Sequence, residues 1–164
     1  MSTDTRQRTY EWDDPAPTAL AGLDRDGLDV LRAIGTGELP LPPAVRTLGL
    51  EPVEANPGRV SFRLDPDEYH LNPFGIVHGG VLAAVVDTAM GCAVHSLLPP
   101  AVGYVTAELS IRFLRPAVLS GGPLVCTGEV DHQGRTTMVA SARVEDADGR
   151  LIALASSTCL VRRP

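Results

Sequence analysis

The chain has 164 residues, 44% of them hydrophobic, and a formal net charge of −6. That length suits one domain with a core of its own, and the acidic balance excludes a nucleic-acid partner, which needs a basic surface for phosphates. No stretch approaches the roughly 18 consecutive apolar residues of a membrane span, and Met1-Ser2-Thr3-Asp4-Thr5-Arg6 has no apolar run behind it, so a cytoplasmic protein without a membrane partner is expected.

Residues 1–23 are polar and acidic, punctuated by Asp13-Asp14-Pro15-Ala16-Pro17, and read as a flexible arm ahead of one domain over 24–164. Leu28, Leu31 and Ile34 recur at threes and predict a short helix that Gly35 and Gly37 end. Pro43 can open another through Leu48. Strands at 50–54 and 59–64 flank Asn56-Pro57-Gly58 and predict a hairpin. His78-Gly79-Gly80 then opens a run over 81–98 with Asp87 as its one formal charge, which predicts a buried central helix. After Pro99-Pro100 the period becomes two: Val105, Ala107, Leu109, Ile111 and Phe113 alternate with Thr106, Glu108, Ser110 and Arg112. Further strands at 124–132, 136–145 and 151–161 are separated by Gln133-Gly134 and Asp146-Ala147-Asp148-Gly149. The expected fold is α+β: a hairpin, one long helix, then a four-strand antiparallel meander, the sheet curving round the helix. Such a protomer leaves edges exposed, so a second copy is expected as partner.

Cys92, Cys126 and Cys159 lie far apart and read as buried small hydrophobes. His70, His78, His95 and His132 show no ligand spacing, so neither metal nor cofactor is expected. All basic residues are arginine; a phosphate-bearing ligand must be held by Arg or by backbone N–H groups.

Three features carry chemistry. A carboxylate mid-helix, Asp87, is costly to bury unless partnered, and its neighbours Ala83, Ala84, Met90 and Gly91 are mostly small, leaving room for a ligand. A structural Asp bonded to backbone or Arg fits the same residues equally well. The first N–H groups of a helix lack internal partners, so Gly79 and Gly80 permit a carbonyl to approach a fixed donor; they also suit a plain loop-to-helix turn. Asn72, before Pro73, is turn chemistry or an amide that holds water or a carbonyl. Gly79 and Asp87 are eight residues apart, about 12 Å along one helix. If both act on one carbonyl, Asp87 must come from a second copy.

These residues resemble the PaaI-like branch of the hotdog-fold thioesterases. The likeness lies in His70-Leu71-Asn72-Pro73-Phe74-Gly75-Ile76-Val77-His78-Gly79-Gly80, then Val85-Val86-Asp87-Thr88-Ala89-Met90-Gly91, then Leu109-Ser110-Ile111-Arg112-Phe113-Leu114-Arg115-Pro116. It implies a hotdog homodimer, or a dimer of dimers, that hydrolyses acyl-CoA. By the resemblance Gly79 polarises the thioester carbonyl, Asp87 is base or nucleophile, Asn72 positions and His78 orients. Thr106 would stand beside the acid, although the strand alternation puts it opposite the apolar face unless a bulge intervenes. Gly80, Phe74 and Met90 are candidate substrate contacts, and Arg115 and Arg135 candidate phosphate ligands. A hotdog enoyl-CoA hydratase or dehydratase, which would want a His paired with the carboxylate, and a non-catalytic acyl-CoA sensor are the competing readings.

Overall fold

The computed structural model describes residues 4–164; the first three residues of the expected arm lie outside them. Four helices and six strands follow in the order α1 (Ala16–Asp24), α2 (Gly27–Gly35), α3 (Pro43–Leu48), β1 (Leu50–Asn56), β2 (Arg59–Leu64), α4 (Gly79–His95), β3 (Gly103–Phe113), β4 (Leu124–Gln133), β5 (Thr137–Glu145) and β6 (Leu151–Arg162). All six strands form one sheet, in the order β1-β2-β4-β5-β6-β3, wrapped round α4. This is the hotdog fold.

The 17-residue α4 sits at the centre because most of its surface is apolar. Leu82, Val85, Val86, Ala89, Met90, Ala93 and Val94 are buried against the sheet. Each fully buried Val, Leu or Met contributes about 1.5–3 kcal/mol. Gly128 of β4 marks where sheet and helix approach most closely: a Cβ there would strike the backbone of Ala89 and Met90. The opposite face of α4 is only partly covered by its own chain. Gly80 is exposed, and Ala83, Ala84, Asp87 and Thr88 are only half-buried.

The hairpin of β1 and β2 forms with Asn56 opposite Arg59, and β4, β5 and β6 run as consecutive hairpins. The expected meander is corrected at one point. β3 pairs with β6, and β4 pairs with β2. The connection between β3 and β4 is a ten-residue passage through Pro116 and a short 3-10 turn, far longer than a hairpin loop, so β3 is free to cross to the far edge.

A second departure is a bulge in β3. Thr106 faces Cys159 and Glu108 faces Thr158, with Ala107 unpaired between them. The extra residue reverses the alternation. Leu109 and Ile111 face the core, as expected, but before the bulge Tyr104 does so, Thr106 turns toward Asp87 of α4 while staying exposed, and Val105 turns outward at 43% exposure.

Ahead of the sheet, α2 packs Val30, Leu31 and Ala33 against β1 and α4, and Gly49 closes α3 in the left-handed conformation. The segment expected to be an arm contains α1, which lies on α2 without burying a residue of its own. Among the described residues no helix is long and apolar enough to cross a membrane.

Candidate active site

The loop before α4 is fixed by hydrogen bonds from both its ends. His70 is buried; its Nδ1 accepts the Asp67 N–H (3.0 Å) and its Nε2 bonds the Leu48 carbonyl (3.0 Å). Those partners require the neutral tautomer with the proton on Nε2. From this anchor the chain doubles back, Asn72 N–H donating to Ile76 O (2.9 Å) and His78 N–H to His70 O (2.8 Å). Asn72 Oδ1 accepts the Phe74 N–H at 2.9 Å. The turn reading of Asn72 is therefore correct for its oxygen, while Nδ2 has no partner among the described residues and stays available to a ligand.

His78 is the N-cap of α4. Its Nδ1 accepts the Gly80 N–H at 2.9 Å, and its carbonyl accepts from Val81 (2.9 Å) and Leu82 (3.2 Å). With the His78 N–H on the His70 carbonyl, three of the four N–H groups that a helix start leaves open are used, those of His78, Gly80 and Val81. The fourth, on Gly79, meets no acceptor among the described residues. Gly79 borders a cavity of about 390 Å³ lined also by Asn72, Leu82, Phe113, Arg115 and Pro116. A side chain at Gly79 would press on the Phe113 ring, so glycine leaves that wall of the cavity uncrowded. Neither Asp87 nor Thr106 lines the cavity.

Asp87 lies two turns further along α4, on its partly covered face. The expectation of a buried carboxylate is corrected, because the protomer covers Asp87 only in part. Thr106 Oγ1 donates to Asp87 Oδ1 at 2.8 Å, which the β3 bulge makes possible. One carboxylate oxygen is thereby oriented, and the other remains for a reactant. Burial, with Asp87 adding to it, pushes the nearby Cys92 thiol up to about 12, which disfavours its thiolate.

Sequence and fold comparisons converge on one family. Residues 74–153 match the thioesterase superfamily. Human acyl-coenzyme A thioesterase 13 is 35% identical over 102 residues, 62% of this chain and 71% of that protein. A hypothetical thioesterase from Streptococcus pneumoniae, crystallised with coenzyme A, is 31% identical with a TM-score of 0.64, covering 70% of this chain and 88% of the other. The Escherichia coli PaaI protein shares the fold (TM-score 0.71, 24% identity, 84% of this chain and 95% of that one). The chain belongs to the thioesterase superfamily.

As a member of the thioesterase superfamily, the protein is a thioester hydrolase, and its other expected site residues fall into distinct places. Arg115 lines the Gly79 cavity and donates from Nη1 to Leu151 O at 2.8 Å. Phe74 is 87% exposed at the tip of the Asn72 loop and lines no part of that cavity. Met90 is corrected: at 0% exposure it belongs to the core, because it points into the sheet, away from the open face of α4. Arg135 is exposed at the β4–β5 turn, outside the Gly79 cavity. The pattern missed Phe113 and Pro116 as cavity walls and His70 as the anchor of the loop; the one signal for His70 was its place at the head of the Asn72 motif.

His70 gives this thioesterase an acid-sensitive site. Burial holds its pKa below 6.5 in the fold, so the unfolded chain binds the proton more readily. The stabilisation is full above pH 6.5 and is lost as pH falls from there through the lower folded value. Urea midpoints should decline on acidification from neutrality, and His70→Gln should flatten that decline; an unchanged slope in the variant would refute the assignment.

Proposed function

We propose that this thioesterase hydrolyses acyl-CoA to free acid and CoA as a homodimer, alone or paired into tetramers, at sites each shared by two protomers. Gly79 of one protomer supplies the oxyanion donor, and Asp87 of the partner subunit supplies the base. The observation that carries this reading is the single unpaired N–H at the head of α4. It opens into a cavity without a carboxylate, while the carboxylate sits about 12 Å along the same helix on an open face. One protomer holds each half of a hydrolytic site, and a two-fold arrangement of the α4 helices brings unlike halves together. The edge strand supports the same arrangement: β3 is 11 residues long, unpaired on its outer side and largely exposed, a surface that invites another strand.

In this reading the thioester carbonyl enters the Gly79 cavity and its oxygen accepts the Gly79 N–H. Water attacks the carbonyl carbon as Asp87 of the partner subunit takes its proton. Negative charge gathers on the oxygen facing Gly79, where a fixed donor on a helix start is worth roughly 3 kcal/mol. The intermediate collapses, the C–S bond breaks, and CoA leaves as the thiolate. The same carboxylate could attack the carbonyl itself and be freed by water later, and the two routes use the same geometry. Thr106 orients the carboxylate, Asn72 Nδ2 holds the thioester or the water, His78 fixes Gly80 and the helix start, and Arg115 meets the CoA phosphates at the cavity rim.

The human relative bears the name of an acyl-CoA thioesterase and the pneumococcal one binds coenzyme A, which supports CoA as the carrier. The purified protein should release free thiol from members of a panel of saturated and aromatic acyl-CoAs. Hydration of crotonyl-CoA without thiol release, or tight binding without turnover, would overturn the hydrolase assignment in favour of a hydratase or a sensor.

A further inference from the structure

A second cavity, about 380 Å³, lies between the N-terminal helices and the C-terminal half of α4. Its walls are mostly apolar, with Ala19 and Leu23 from α1 and Val30 and Ile34 from α2. His95 of α4 and Tyr104 of β3 also line it. Their rings stand 6.2 Å apart. Neither side chain has a hydrogen-bond partner among the described residues. A few polar groups converging in an apolar pocket are the pattern of a site that orients a ligand.

This cavity adjoins the Asp87 site along one seam of α4, which the Tyr104 side chain fills at Gly91. Tyr104 and Thr106 lie two residues apart on the same face of β3; Thr106 holds Asp87, and the Tyr104 hydroxyl occupies the place a side chain would take at Gly91. Gly91 is one helical turn beyond Asp87 and His95 one turn beyond Gly91, so the seam runs about 12 Å from carboxylate to imidazole. The roof is fixed in place as well. The Gly22 carbonyl of α1 accepts the Ala101 N–H at 2.8 Å, and Ala101 adopts the left-handed conformation (φ 61°), which an alanine keeps only where surrounding contacts hold it.

We propose that the cavity under α1 and α2 receives the distal part of the acyl group, and that His95 and Tyr104 select acyl groups whose apolar body ends in a hydroxyl or carbonyl. This rests on the acyl-CoA hydrolase reading above. The chain is apolar where it meets the cavity walls and polar only at its end. Burial lowers the pKa of His95, so near neutrality the ring is an uncharged donor and acceptor suited to such a terminus. In this arrangement α1 is the wall that sets how much acyl chain the enzyme accepts.

The test compares kcat/KM for acetyl-CoA, octanoyl-CoA and ω-hydroxyoctanoyl-CoA in wild type, Gly22→Leu, Ala19→Phe, His95→Leu and His95→Gln. A Cβ at Gly22 meets nothing within 4 Å, and both α1 changes suit a helix surface. Wild type is expected to prefer the hydroxylated chain over octanoyl by about tenfold or more. Filling the cavity from α1 should lower both octanoyl substrates about tenfold and leave acetyl-CoA unchanged. His95→Leu should erase the hydroxyl preference and His95→Gln should retain part of it. Hydrolysis without that preference, or variants that affect all three substrates alike, would overturn the acyl pocket while leaving the hydrolase reading intact. No thiol release from any acyl-CoA would instead overturn the hydrolase reading, and the pocket with it.

Discussion

Asp87→Asn is expected to lower kcat for acyl-CoA hydrolysis by about a hundred- to ten-thousand-fold, the range that a positioned general base contributes. The substitution is nearly isosteric, and an asparagine oxygen can still accept the hydroxyl of Thr106, which now donates to Oδ1 at 2.8 Å. What disappears is the charge and the capacity to take a proton. Because Asp87 lies on the partly covered face of α4, outside the core, its replacement disturbs no core contact, so thermal stability and self-association should stay at wild-type values. KM should change little, since the lost interaction belongs to the transition state. Steady-state rates beside an affinity measurement with CoA decide the matter. A loss of less than about tenfold would remove Asp87 from the reaction.

Gly79→Pro is the complementary experiment and should cost roughly a hundred- to a thousandfold in kcat, as the loss of one oxyanion donor does. Gly79 is the first residue of α4, where proline is tolerated and removes the N–H, while the Cβ it adds meets the Phe113 ring as an alanine's would. His78 before it already has the extended backbone that a following proline demands (φ −62°, ψ 135°). The helix should therefore survive while its one open donor is lost. Gly79→Ala keeps the donor and should retain far more activity. The two inactive variants together test where the site lies. After subunit exchange between equal amounts of Gly79→Pro and Asp87→Ala, about a quarter of wild-type activity should return, since half of the dimers are mixed and each mixed dimer has one intact site. Absence of recovery after proven exchange would place both groups in one protomer and end the shared-site proposal.

Much of this architecture was legible because particular residues permit little else. Pro43 opened α3, Asn56-Pro57-Gly58 turned the hairpin, and His78-Gly79-Gly80 marked the head of α4. The central helix stood out because a long apolar run with a single charge can only be buried. What stayed hidden depends on counting or on tertiary choice. A bulge leaves no trace in alternation: one unpaired Ala107 moved Thr106 to the helix side and Val105 away from it. The place of β3 beside β6 could not be read, because a ten-residue connection does not name its neighbour. Met90 looked like a pocket residue from its spacing to Asp87, but the helix turns it into the sheet. The helix α1 buries nothing of its own, so no apolar stripe announced it inside the expected arm.

The long free edge of β3 has a thermodynamic consequence. In the proposed shared-site dimer, where two chains meet there and one thioester touches both, the affinity of the chains for one another and their affinity for substrate become a single linked quantity. Whatever factor association adds to acyl-CoA binding, acyl-CoA returns to association. Specific activity then depends on the enzyme's own concentration, falling on dilution and recovering as substrate rises, because the bound ligand draws dissociated chains back by mass action.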